Sequence, residues 1–178
     1  MSVSRRHLAT AAGLALLPAA WLAAALAGGG WLPGSGDRAT PAPQVAYTLL
    51  NGQQHHIGQL KGQVVLVNFW ATSCTSCVAE MPAITATFEK FRSRSYQTLA
   101  VAMQYDAPAN VASFAESRQL PFGVVIDNTG EIARQFGPVQ ATPTTFLINK
   151  RGQIVQRYLG APDFAALHTL VEQLLAET

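Results

Sequence analysis

Cys74 and Cys77 are the only two cysteines of the chain, and Thr75-Ser76 separates them. A C-x-x-C pair can be half of a zinc site, two incidental buried thiols, or a dithiol that cycles with a disulfide. Zinc needs about four ligands, and His55, His56 and His168 stand at no ligand spacing to the pair. The surroundings favour the redox reading. The pair follows an apolar run over residues 64–70 and opens a stretch with Met81, Ile84, Phe88 and Phe91 near helical spacing. It therefore sits where a strand gives way to a helix. A helix N-terminus offers unpaired N–H groups and partial positive charge, which stabilise a thiolate and lower its pKa. Cys74 is expected to attack a substrate disulfide, and Cys77, one turn on and more buried, to resolve the mixed disulfide. Any disulfide within this chain can only join Cys74 to Cys77.

The elements that must hold this pair are readable in outline. Residues 45–48 and 55–57 flank Asn51-Gly52, a two-residue turn signal, and suggest a short β-hairpin. Residues 64–70 (VVLVNFW) read as a strand buried on both faces. Residues 74–92 read as a helix that Pro82 should kink. Residues 96–103 and 124–127 read as further strands. Between them lies a helix over 108–118, started near Asp106, and a short helix follows over 131–136. Two strands, 144–148 and 154–158, are joined by Asn149-Lys150-Arg151-Gly152, and Asp163 can cap a final helix reaching Glu177. Strands alternating with helices and ending in a hairpin predict an α/β fold, a central mixed sheet flanked by helices.

The N-terminus is a different kind of sequence. Arg5 and Arg6 precede 20 residues without a charge, Leu8 to Ala27, and Ala25-Leu26-Ala27 offers a small-residue cleavage pattern. Residues 1–27 read as a signal peptide or an N-terminal membrane anchor, which places the remainder outside the cytoplasm. Residues 28–44 are rich in Gly and Pro and read as a flexible linker, leaving residues 45–178 as the domain. The chain has 178 residues and a formal charge of +2; taking Arg5 and Arg6 from its 12 Lys+Arg leaves 10 against 10 Asp+Glu. Such a balance gives no footprint for nucleic-acid binding. Two cysteines exclude a disulfide-built scaffold.

Val67-Asn68-Phe69-Trp70-Ala71-Thr72-Ser73-Cys74-Thr75-Ser76-Cys77, followed by Glu80-Met81-Pro82, resembles the active-site strand and helix of TlpA/ResA-type thioredoxin-like thiol-disulfide oxidoreductases. Ala141-Thr142-Pro143-Thr144-Thr145-Phe146-Leu147-Ile148 resembles the cis-proline segment of the same fold, and the likeness runs from about Gln44 to Glu177. The resemblance implies a thioredoxin-like fold, and a cis Pro143 beside the cysteines. The backbone of Thr142 would pair with an extended substrate, and Glu80 would exchange protons with the cysteines. Glu80 could otherwise be a solvated helix-face carboxylate, and Pro143 an ordinary trans proline.

Three positions depart from the wider pattern. Ser73 stands where thioredoxin-like proteins often carry Trp, which opens Cys74 and alters what docks there. Thr75-Ser76 lacks the proline of many relatives, and Asn68 replaces a buried Asp, shifting proton handling toward Glu80. Trp70 is expected to form part of the core and of the site wall. The resemblance implies no bound cofactor beyond the Cys74-Cys77 disulfide and no metal. It implies protein substrates carrying disulfides, in cytochrome c or oxidase assembly, and a membrane thiol-transfer reductase as electron donor; the uncharged run over residues 8–27 itself offers a membrane attachment. The competing functions are a disulfide-forming oxidant, a peroxiredoxin-like peroxidase and a copper-binding assembly chaperone.

Overall fold

The computed structural model describes residues 39–177, so the expected leader at residues 1–27 lies outside them. The strands are β1 (Thr40–Pro41), β2 (Ala46–Thr48), β3 (Gln54–His56), β4 (Val64–Trp70), β5 (Tyr96–Ala102), β6 (Gly123–Ile126), β7 (Thr144–Ile148) and β8 (Gln153–Leu159). The helices are α1 (Thr75–Phe91), α2 (Pro108–Ser117), α3 (Glu131–Gln135) and α4 (Phe164–Ala176), with a 3₁₀ turn at Ile57–Leu60. No helix among the described residues is long and apolar enough to cross a membrane.

All seven residues of β4 are buried. Its uncharged, β-branched and aromatic run suits a strand covered on both faces, and it lies inside a six-stranded sheet of order β1-β8-β7-β4-β5-β6. Successive side chains point to opposite faces. Val64, Leu66 and Trp70 meet α1, α2 and α4 in one core. Val65, Val67 and Phe69 meet α3 and the β2-β3 side in the other. Strands β4, β5 and β6 run parallel through the crossover helices α1 and α2, while β7 pairs antiparallel to β4, Phe69 opposite Thr144. That arrangement decides where chemistry can occur. The C-terminal ends of β4 and β5 and the N-terminal start of β7 share one edge of the sheet.

Several boundaries differ from the sequence expectation. The stretch expected to be linker up to residue 44 already contributes β1, with Thr40 opposite Ile154 and Pro41 opposite Gln153. Ala42 is buried, and its N–H bonds the Gly152 carbonyl at 2.9 Å. A proline is tolerated there because β1 is an edge strand. The β2-β3 connection is longer than a two-residue turn. Leu49 bridges Val125, the Leu49 N–H bonds Gln53 at 2.9 Å, and Gly52 turns the chain at φ +85°. Pro82 lies inside α1 without ending it. Helix α4 begins on Asp163, whose carboxylate accepts from the Ala165 and Ala166 N–H groups at 2.9 and 3.1 Å. Its last turn is closed by the Lys150 ammonium, which donates to the carbonyls of Leu175 and Glu177 at 2.8 Å each.

Candidate active site

Cys74 is the N-cap of α1, with extended backbone angles and a sulfur that accepts from the Cys77 N–H at 3.2 Å. A sulfur thus occupies the position usually filled by Ser, Thr, Asp or Asn. The two cysteines are joined, S–S 2.11 Å. Cys77 is fully buried and Cys74 is half-buried, so an incoming group meets Cys74 first. Ser76 Oγ lies 3.5 Å from Cys74 Sγ, and Ser73 beside it is exposed. The Thr142–Pro143 peptide is cis, and the Thr142 carbonyl oxygen lies 3.6 Å from Cys74 Sγ. Thr142 is half-buried and Pro143 buried. The β4–β7 pairing brings the two segments together across 68 positions of sequence.

Glu80 lies three residues beyond Cys77, on the same face of α1. It is not a solvated helix-face carboxylate, being only 5% exposed. Asn68 Nδ2 donates to Glu80 Oε1 at 2.9 Å and to Thr145 Oγ1 at 3.0 Å. Glu80 Oε2 and Asn68 Oδ1 are buried with no partner. Burial pushes the Glu80 carboxyl above its ordinary value, and the bond from Asn68 offsets part of that rise. A carboxyl that takes up protons more readily than usual, one turn from the resolving cysteine, is equipped to exchange them.

Trp70 belongs to the core, as expected, but not to the exposed wall of the site. It is fully buried, its ring packs on Phe114 at 5.1 Å between centroids, and it supports the cysteine loop from inside. Alternation along β4 turns it into the core shared with α1 and α2, away from the edge where substrate arrives. Two of the described histidines are engaged elsewhere: His55 stacks on Tyr47, and His168 lies 2.8 Å from Thr87 Oγ1. Among the described residues no three His, Cys, Asp or Glu side chains gather to hold a metal.

One contributor has a different role from the helix start expected of it. Asp106, expected to start α2, instead turns its carboxylate to the cysteine loop, accepting from Thr72 N at 2.5 Å and Thr72 Oγ1 at 2.6 Å. Helix α2 begins on Ala107 with Pro108 in its first turn and no side-chain cap. Parallel β4 and β5 place Trp70 opposite Ala102, so the residues following each strand are neighbours. That adjacency is the signal that could have found Asp106.

A family model described as Redoxin matches residues 35–173. The chain belongs to the Redoxin family. Within this family setting, ResA of Bacillus thuringiensis subsp. konkukian (strain 97-27), a thiol-disulfide oxidoreductase, is 33% identical over 119 residues, 67% of this chain and 68% of that protein. A solution structure described as a thioredoxin from Neisseria meningitidis is similar at 35% identity and a TM-score of 0.71, covering 77% of this chain and 91% of its own. A thiol:disulfide interchange protein of the thioredoxin family from Chlorobium tepidum TLS is similar at 26% identity and a TM-score of 0.71, covering 78% and 98%. The expected thioredoxin-like fold and ResA-type kinship hold, and the chain is a thiol-disulfide oxidoreductase.

Proposed function

We propose that this oxidoreductase works outside the cytoplasm as a reductant of specific protein disulfides, such as those met in cytochrome c or cytochrome oxidase assembly. The basic start and the uncharged run over residues 8–27 support export, by a cleaved signal or by an anchor. The single observation that carries the chemistry is the Cys74 sulfur at the head of α1, accepting from the Cys77 N–H and facing the Thr142 carbonyl.

In the reduced protein the Cys74 thiolate attacks one sulfur of a substrate disulfide. A mixed disulfide forms, and the other substrate sulfur leaves as a thiolate and is protonated. Cys77 then gives up its proton, and its thiolate attacks Cys74 Sγ. The second substrate thiol departs, the Cys74–Cys77 disulfide closes, and two electrons have passed to the substrate. Ser73, Thr142 and Pro143 surround the point of attack, and the Thr142 backbone can pair with an extended substrate strand. Glu80 takes the proton that Cys77 must lose. Its carboxylate also disfavours a second negative charge on the same turn, so it acts against the thiolate of the reduced pair and leaves the neutral dithiol untouched. The cysteine pair carries the electrons with no bound cofactor, and a membrane thiol-transfer protein restores the dithiol.

The reduction potential of the Cys74–Cys77 pair tests the direction. A reductant is expected toward the thioredoxin end of the known range, roughly −270 mV, and a value near about −120 mV would make the protein an oxidant instead.

A further inference from the structure

The turn after β5 is tied to the cysteine loop at several points. The Met103 N–H donates to the Trp70 carbonyl at 3.0 Å, and the Asp106 N–H to the Met103 carbonyl at 2.9 Å. The Asp106 carboxylate holds both donors of Thr72. This fastened turn turns Tyr105 outward, where it is 61% exposed. The ring is not loose there. Its hydroxyl lies 3.3 Å from Thr142 Oγ1, and the carbonyl of the same Thr142 lies 3.6 Å from Cys74 Sγ. The ring is thus tied to the residue whose carbonyl faces Cys74, and the small, exposed Ser73 leaves the approach to Cys74 open. Leu159, 71% exposed, borders the same segment from its other side: it pairs with Thr144, and the next N–H, of Gly160, bonds the Pro143 carbonyl at 2.9 Å. The large apolar side chains exposed among the described residues are Leu50, Tyr105 and Leu159, and two of these three flank Thr142-Pro143.

We propose that Tyr105 is a substrate-contacting, specificity-determining residue: its ring seats an apolar side chain that neighbours the reacting cysteine in an extended segment of the substrate protein. The proposal rests on the reading of the site as a reductant of protein disulfides and names the class of sequence it prefers. Tyrosine suits the task because it offers a large amphipathic face with few torsions to immobilise. Its hydroxyl is already engaged with Thr142, so the ring is held before substrate arrives and little ordering is required on binding. Aliphatic or aromatic neighbours of the substrate cysteine gain contact with the ring, while Ser or Asp neighbours do not.

The test uses the reduced full-length protein and two extended peptides. Each carries one cysteine disulfide-linked to nitrothiobenzoate, flanked on both sides by Leu in one peptide and by Ser in the other. The readout is the ratio of the two rate constants for coloured thiolate release, which does not depend on the active fraction of a preparation. The native protein is expected to favour the Leu peptide about four- to fifteenfold, the worth of burying roughly one or two methylenes. Tyr105→Ala should bring the ratio close to one, Tyr105→Phe should keep most of it, and Leu50→Ala, away from the disulfide, should leave it intact. A native ratio of one, or a preference that survives Tyr105→Ala, overturns the proposal. Release no faster than that of Cys74→Ser with either peptide would instead overturn the oxidoreductase reading on which the proposal rests.

Discussion

Replacing Glu80 by Gln removes a charge and little else, which makes it a clean probe of the buried carboxyl. Only one of its oxygens is bonded, Oε1 by Asn68 at 2.9 Å, while Oε2 is buried with no partner. Leaving a buried acceptor unsatisfied costs about 1–3 kcal/mol, with charged groups toward the upper end. The Gln amide keeps an oxygen for Asn68 and carries no charge, so oxidised Glu80→Gln should be about 1–3 kcal/mol more stable than the native protein near neutral pH. The sign has a definite pH course. Because burial raises the Glu80 pKa above its ordinary 4.5, the folded chain holds that proton more tightly than the unfolded chain. Its contribution is therefore fully present below about 4.5 and is lost as the pH climbs through the raised value. The two proteins should converge in acid and diverge toward neutrality. Urea unfolding of both oxidised proteins between about pH 4 and pH 8 measures this, and the disulfide keeps the cysteines from titrating. An offset independent of pH, or one that opens on the acid side, would refute the assignment of a destabilised buried carboxylate.

Other outcomes follow from the same geometry. Cys77→Ser should accumulate a mixed disulfide through Cys74 on non-reducing gels, and the adduct should vanish in the double variant with Cys74→Ser. Glu80→Gln should slow closure of the Cys74–Cys77 disulfide by roughly hundredfold in stopped-flow, the usual worth of a positioned proton acceptor. Asp106→Ala strips two bonds from Thr72 and should lower stability by about 2–3 kcal/mol while slowing thiol exchange; Asp106→Asn, whose amide nitrogen cannot accept in place of the second oxygen, should fall between. Asp163→Ala removes the α4 cap and should cost about 1 kcal/mol in thermal unfolding without altering the exchange rate.

What the sequence disclosed depended on how local each determinant was. The buried strand over Val64–Trp70 was legible because its whole environment is written in seven consecutive residues. The Asp163 cap was legible because its acceptors lie two and three positions on. The cysteine centre and Pro143 were legible because each sits in a run of distinctive residues. Glu80 was ambiguous. Whether a helix-face carboxylate is solvated depends on what covers it, and its covering partner Asn68 lies on β4, itself bonded to Thr145 on β7. Asp106 was misassigned because a carboxylate before a helix has a ready local use, and its actual partner, Thr72, lies 34 residues earlier. The strand at Thr40–Pro41 hid in a Gly/Pro-rich stretch, since an edge pairing with β8 leaves no periodic pattern in two residues.

The antiparallel β7 that brings Thr142 to Cys74 also sets an order of events during biosynthesis. The nucleophile is made 68 positions before its partner segment. At about 5–20 residues per second, that interval lasts roughly 3–14 s. During it both thiols exist without the surface that selects their substrates. A chain with several cysteines could form wrong bridges in that window. This one has two, so the only intramolecular bridge open to the nascent chain is the native one. Early oxidation therefore yields the same Cys74–Cys77 disulfide that the folded chain carries.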